Sequence, residues 1–298
     1  MRTLNGVGDT ESMTRTMTWT ITGDFDEYLA AVGPFLRREP VVDTLVTTIV
    51  DAIDVQGPHA FAGDPPLMGW WRNAAGDVAA ALVQTPPFPV VLSRCPTEAI
   101  SGLIDVLGQY ADQVTQINLA AEHENVIRKG MEARTGLRFD VEERQRLYRL
   151  GRLVPPTPFP AGGAHVATAA DRGLIVDWTA AFIDEALGRT KPNPEVLVDS
   201  RLPWGGVRTW KLDDGTPVSF AAMSREAAGM TRIGPVYTPP EHRGRGYAAA
   251  VTAAISRSAL DAGIGEVLLF TNLDNPISNR VYQRIGYEPV TDRVILAR

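Results

Sequence analysis

The segment Arg243-Gly244-Arg245-Gly246-Tyr247-Ala248 combines glycines and arginines in a pattern that suits the binding of an anion. Glycine has no Cβ, so its main-chain N–H group can approach a ligand closely. The residues that follow predict a helix, and a helix N-terminus adds unpaired N–H donors and a partial positive charge. We expect this loop to hold an anion of the size of a pyrophosphate.

The elements around the loop follow the order strand, loop, helix. An apolar run from Ile233 to Tyr237 predicts the strand, and Pro239-Pro240 predicts a turn. An alanine-rich stretch that runs to Ala262 predicts the helix, which Gly263 ends. No Gly-Lys-Ser/Thr follows, so the loop is not a nucleotide P-loop. It is also not the GxGxxG loop that follows the first strand of a dinucleotide-binding fold. Taken alone, the segment would also be typical of an ordinary turn and helix start.

A second motif lies downstream of a short buried strand predicted from Glu266 to Thr271. Asn275 is suited to cap a helix, Pro276 occupies the favoured first position, and Gly286 predicts the end. Tyr282 comes seven residues after Asn275, about two helical turns on, and so lies on the same face.

Together the two motifs resemble the GNAT superfamily of N-acyltransferases. Arg243, Gly246 and Ala248 fill the RxxGxA pattern of that family's acyl-CoA pyrophosphate loop. The family's helix motif is matched, at the same spacing, by Asn275, Ser278, Tyr282, Gly286 and Tyr287. The resemblance extends over about Ala164 to Arg298, as an FR47-like acetyl-CoA-binding domain, and implies acetyl-CoA as co-substrate.

The resemblance also implies how the thioester would be placed. The strand ending at Val236 and Tyr237 would splay from the strand that begins near Val267. Exposed main-chain groups there, with Val236 and Thr238 as candidates, would pair with the pantetheine arm and polarise the thioester oxygen. The alternative is that Val236 and Tyr237 are ordinary sheet residues.

For the chemical step, the resemblance assigns a general acid but no base. Tyr282 would donate its phenol proton to the leaving CoA sulfur, although a lone aromatic on a short helix is also typical of core packing. Asn275 or Asn279 would hold the pantetheine amides, and Asn275 could equally be only a cap. These roles are compatible with each other.

The predicted central strand, Met230 to Tyr237, contains no Asp or Glu. The carboxylates that could replace a strand base are Glu226, Glu266, Asp184 and Glu185, each of which is also typical of a solvated surface charge. A water chain, or an amine already neutral, would also suffice. We expect acceptor specificity to come from Trp178 to Leu187, from the loop Thr190 to Pro203, and from the inner surface of the N-terminal half.

Composition narrows the class of protein. The 298 residues suffice for two domains, and 44% apolar with 21% charged residues is typical of a globular chain. A net charge of −6 argues against a nucleic-acid partner. The single Cys95 cannot form an internal disulfide, and four scattered histidines offer no metal spacing. We expect a cytoplasmic protein without metal or membrane partner, and a homodimer is possible.

A proline- and glycine-rich segment, Val154 to Gly163, divides the chain. We predict a disordered extension over 1–17, a first domain over 18–153, a linker over 154–163 and a second domain over 164–298. Trp71 and Trp210 are each followed by a predicted turn with a Gly five residues after the Trp. This similarity indicates that one fold is used twice.

The first copy lacks the anion loop. Ser93-Arg94-Cys95-Pro96, between its predicted strand Phe88 to Leu92 and the next helix, contains no glycine, and Pro96 removes one N–H donor. We expect this copy to be a degenerate partner that binds no CoA and walls part of the acceptor site.

The sequence therefore predicts an α/β (α+β) protein of two tandem GNAT domains, each a mixed, mostly antiparallel sheet flanked by helices. The predicted activity is acetyl transfer from acetyl-CoA to a primary amine of unknown identity, on a small molecule or a peptide, in a ternary complex. The alternatives are a non-catalytic acyl-CoA-binding or regulatory protein and, less well supported, an interaction protein in which both copies are scaffold.

Overall fold

One order of elements occurs twice along the chain. The computed structural model describes residues 17–57, 64–186 and 191–298, so the predicted disordered extension lies almost wholly outside the described residues. The first half, here the N-terminal copy, consists of β1 (Thr18–Thr22), α1 (Phe25–Leu36), α2 (Thr44–Gln56), β2 (Leu67–Arg72), β3 (Val78–Gln84), β4 (Val90–Leu92), α3 (Thr97–Gln109), β5 (Gln116–Ala120), α4 (Glu124–Thr135) and β6 (Asp140–Leu150).

The second half, here the C-terminal copy, repeats that order. Its elements are β7 (Gly163–Val166), α5 (Arg172–Ala186), α6 (Pro194–Asp199), β8 (Val207–Lys211), β9 (Pro217–Met223), β10 (Met230–Tyr237), α7 (Tyr247–Asp261), β11 (Glu266–Asn272), α8 (Pro276–Arg284) and β12 (Tyr287–Ala297). The predicted α/β fold and its repetition are confirmed.

One predicted strand is shorter than expected. The strand predicted from Phe88 to Leu92 begins only at Val90, because Pro89 has no N–H for the ladder and the Phe88 N–H bonds back to Thr85 in a turn.

The strands of both copies join in one sheet of the order β1-β2-β3-β4-β5-β12-β6-β11-β10-β9-β8-β7. The last strand of each copy lies next to the fifth strand of the other, because β12 pairs with β5 and β6 pairs with β11. The two exchanged strands also pair with each other, antiparallel. The two predicted sheets are therefore one sheet with exchanged strands, and the predicted division at 154–163 stays a prediction.

The exchange places side chains of each copy in the core of the other. Val294 and Leu296 of β12 pack among the residues of α3 and α4, while Tyr148 and Leu150 of β6 pack with α7. Burying one large apolar side chain contributes about 1.5–3 kcal/mol, so each copy depends on the other's strand.

No helix within the described ranges is long and apolar enough to cross a membrane.

Candidate active site

The loop before α7 presents a row of unused main-chain donors. Among the described residues, no acceptor bonds the N–H groups of residues 244–249; the first bonded amide is that of Ala250, to the Gly246 carbonyl. Gly244 and Gly246 have φ values of 76° and 86°, in the left-handed region that favours glycine. Gly246 caps α7 with no side-chain bond. The loop therefore has the backbone and the free N–H groups that the prediction requires, and anion binding itself stays a prediction.

Two parallel strands part beside this loop. β10 pairs with β11 from Met230 to Ile233 and no further, although both strands continue. On its other edge β10 keeps pairing with β9 to Tyr237, with a bulge between Ile233 and Val236. The bulge turns the end of β10 away from β11, and this opens the predicted splay.

Val236 faces the opening. The Ser219 hydroxyl of β9 donates to the Tyr237 carbonyl at 2.9 Å, so the main-chain groups of Tyr237 face β9. Successive residues of a strand direct these groups to opposite sides, and those of Val236 therefore face the gap left by β11. Ser219 was not predicted; its signal is a polar residue inside the otherwise apolar β9.

Tyr282 of α8 is half-buried against the ring of Tyr287, with ring centroids 6.1 Å apart. Burial raises the pKa of its phenol to about 12, so the hydroxyl keeps its proton near neutral pH. No described residue bonds this hydroxyl. It is thus available as a donor, as the predicted general acid requires.

Residues 215–296 match the family described as FR47-like protein. In fold the chain is similar to a GCN5-related N-acetyltransferase from Sphaerobacter thermophilus, with 17% identity over 94% of this chain and 95% of that chain and a TM-score of 0.63. It is also similar to an acetyltransferase from the GNAT family from Colwellia psychrerythraea, with 12% identity, 94% and 98% coverage and a TM-score of 0.57. A GCN5-related N-acetyltransferase from Kribbella flavida shares 21% identity over 73% of this chain and 86% of that chain, with a TM-score of 0.53. Among curated proteins, none matches. The chain has the GNAT fold.

Arg243, the first residue of the loop motif, is hydrogen-bonded within the protein. Arg243 donates through Nε to the Thr238 carbonyl at 2.8 Å and through Nη2 to Glu185 Oε2 at 2.6 Å. Glu185, on α5, also accepts from the Tyr237 hydroxyl at 3.1 Å. These bonds tie the loop to α5, and they occupy the Glu185 carboxylate that the sequence offered as a base.

The two asparagines of the GNAT helix motif are both bonded internally. Asn275 caps α8 as predicted, accepting from the Ser278 N–H at 3.0 Å. Asn279 donates to the carbonyls of Asn272 and Asn275 at 2.9 and 2.8 Å and accepts from the Tyr148 hydroxyl at 2.9 Å. A pantetheine amide that bonded the Asn279 side chain would have to replace one of these partners.

The remaining candidate bases are either paired with a cation or exposed. Asp184 pairs with Lys191 at 2.6 Å and Glu266 with Arg149 at 2.9 Å, while Glu226 is exposed after β9. No described carboxylate stands on β10, so the structure offers no base there. No group of described His, Cys, Asp and Glu residues could hold a metal ion.

The structure describes part of the region that was predicted to bind the acceptor. Trp178 and Phe182 of α5 pack against the cluster that contains Tyr237, and Trp204 packs on the core beneath α7. Residues 187–190, which include the end of one predicted specificity segment and the start of the next, lie outside the described residues.

In the N-terminal copy the corresponding opening is filled. β4 pairs with β5 only at Val90 and Val91, and the Arg293 side chain enters beyond them from β12. Arg293, 3% exposed, donates to the Leu92 carbonyl at 2.7 Å and to Asn118 Oδ1 at 2.7 Å. Helix α3 begins behind Pro96, without a side-chain cap bond. Both features support the prediction that this copy binds no CoA.

Proposed function

We propose that the C-terminal copy transfers the acetyl group of acetyl-CoA directly to a primary amine in a ternary complex. The observation that carries the proposal is the run of unbonded N–H groups over residues 244–249, at the N-terminus of α7 and beside the parted strands. Charge-assisted bonds from such amides to a diphosphate are among the stronger ones in proteins. The GNAT fold supports acyl transfer as the general class of reaction.

Each residue then has a defined task. The amides of residues 244–249 hold the diphosphate, and the main chain of Val236 and Thr238 pairs with the pantetheine arm and polarises the thioester carbonyl. The neutral amine attacks that carbonyl carbon, the carbon–sulfur bond breaks, and the Tyr282 hydroxyl donates a proton to the thiolate. The proton lost by the amine passes to water, which also returns the proton to Tyr282.

The missing carboxylate on β10 favours one competing function, an acyl-CoA-binding protein without turnover. Two measurements separate the possibilities. Binding at 100 times the dissociation constant stabilises a protein by about 2.7 kcal/mol, so acetyl-CoA should raise the unfolding temperature by about 5 °C. No rise would leave only the scaffold function. Thiol release on adding an amine panel would then exclude mere binding.

We also propose a cytoplasmic location. It rests on the single cysteine of the sequence, Cys95, which is buried and whose thiol pKa burial raises to about 12. Such a thiol is inert and forms no disulfide with another cysteine of the chain. A homodimer stays a prediction.

A further inference from the structure

Arg232 lies on β10 immediately before the point where β10 and β11 part. Ile233, the last residue of β10 that pairs with β11, packs with α7. Adjacent strand residues face opposite sides of a sheet, so Arg232 faces away from α7. Its Nη1 donates to the Thr44 carbonyl at 3.2 Å, at the start of α2 in the N-terminal copy. Val236 is about 13 Å further along the strand.

Arg201 approaches the same place from the end of α6. Its Nη1 donates to the Leu197 carbonyl at 2.7 Å and to the Ser200 hydroxyl at 3.2 Å. Its Nε is buried and has no hydrogen-bond partner among the residues that the structure describes. Burial lowers the pKa of Arg201, and burial followed by the charge of Arg201 lowers the pKa of Arg232 to about 10. Leu202, next to Arg201, packs in the same cluster as Tyr237 of β10. The two guanidinium groups therefore lie on the same face of the sheet, where their like charges repel each other.

Neither arginine has a carboxylate partner within the part of the chain that the structure describes. Toward the described residues, both leave the Nε–Nη2 edge of the guanidinium unbonded. Elsewhere the protein uses that edge to grip carboxylates: Arg146 holds Asp292 at 2.6 and 2.8 Å, and Arg172 holds Asp199 at 2.6 and 2.7 Å. Half-buried, like-charged and unpaired arginines cost stability, and an anion would relieve that cost.

We propose that Arg201 and Arg232 bind an anionic group of the acceptor, so that the acceptor is an amine carrying a carboxylate or a phosphate. The site lies between α6, β10 and the start of α2, and the N-terminal copy supplies one wall. The inference rests on the proposed acetyl transfer and names its substrate class.

The positive charge of Arg201 and Arg232 would also help the acceptor amine to lose its proton without a carboxylate base. Nearby cations favour the neutral form of an amine because they lower the pKa of its ammonium. An acceptor whose anion is held by Arg201 and Arg232 therefore has a larger neutral fraction than with one arginine alone. This is consistent with a β10 that carries no carboxylate.

Matched acceptor pairs test the proposal by acetyl-CoA-dependent thiol release. Because Arg232 lies about 13 Å along the strand from Val236, the acceptors are long. 8-Aminooctanoate is compared with its amide, and 6-aminohexyl phosphate with 6-aminohexanol, which distinguishes a carboxylate from a phosphate. We expect kcat/KM at least about 10-fold higher for the anionic member of one pair. Neutral members that react equally well in both pairs would overturn the proposal.

Variants locate the effect. Arg232→Gln and Arg201→Gln should each raise the KM of the anionic amine about 10- to 100-fold and leave the KM of acetyl-CoA within about 3-fold. Arg232→Lys should fall between, since lysine keeps the charge without the bidentate edge. Arg208→Gln is the control, because Arg208 is also half-buried without a described carboxylate partner but lies on the opposite face, with Trp210. Equal effects of all three Gln variants would contradict the assignment.

A binding measurement keeps the inference separate from the proposed function. With CoA present, 8-aminooctanoate or 6-aminohexyl phosphate should raise the unfolding temperature of the wild type but not of Arg232→Gln, even if no thiol is released. The Gln variants should be at least as stable as the wild type without ligand, because one of two like charges is removed. A loss of stability in both, with unchanged discrimination, would assign the arginines a structural role instead.

Discussion

Replacing Gly246 by Glu should abolish CoA binding. The same substitution at a second glycine, Gly263, separates the loss of anion contacts from the effect of backbone strain. At φ 86° any L-residue is strained by about 1–2 kcal/mol. Pro160 lies 4.0 Å from the new Cβ, an ordinary contact. The added carboxylate would stand among the N–H groups that face the diphosphate. Losing two charge-assisted bonds of about 1.5–3 kcal/mol each lowers affinity about 10²- to 10⁴-fold.

Gly263→Glu is the matched control. Gly263 has φ 84°, and a Cβ added there would meet nothing within 4 Å, so the backbone strain is the same. It follows the other end of α7, about 25 Å from Gly246. Calorimetric titration with CoA should give wild-type affinity for Gly263→Glu and no detectable binding for Gly246→Glu, with similar losses in unfolding free energy. Wild-type affinity in Gly246→Glu, or equal loss in both, would refute the loop assignment.

Three further outcomes are expected. Tyr282→Phe should lower kcat about 100-fold, within the range for a general acid, and leave CoA affinity unchanged because its hydroxyl bonds no described residue; an unchanged kcat would remove Tyr282 from its role. Since the Tyr282 pKa is raised to about 12, the acid form persists and kcat should not fall with rising pH below about pH 10; a descending limb near pH 8 would contradict this. Arg293→Met strands the buried Leu92 carbonyl and the Asn118 side-chain oxygen and should cost about 3 kcal/mol or more in urea unfolding, whereas a cost below about 1 kcal/mol would show that these acceptors find other partners.

The elements of the C-terminal copy were predictable because its sequence marks their ends. Asn275 and Pro276 mark the start of α8, and Gly263 the end of α7, with local chemistry that does not depend on distant contacts. The conformation of the loop before α7 follows from the same local rules, because glycine at positions 244 and 246 allows the left-handed backbone found there. Local pattern thus predicted the backbone of the loop, whereas the general-acid role of Tyr282 came from the resemblance to the GNAT family and stays a prediction.

Features that depend on distant partners were not predictable. Nothing in the sequence of β6 or β12 indicates that each of them pairs into the other copy. The partner of Arg243 was missed for the same reason, since Glu185 is far away in sequence. Arg232 gave one usable signal, a charge inside an apolar strand, but its neighbour Arg201 emerges only from the fold.

The most direct test of the central claim is a crystal structure of the protein with CoA. We predict diphosphate oxygens about 2.7–3.2 Å from the N–H groups of residues 244–249, and the pantetheine arm along Val236 in the gap between β10 and β11. A diphosphate bound elsewhere, with those amides facing solvent, would contradict it. So would a CoA that displaces Arg293 from the opening of the N-terminal copy.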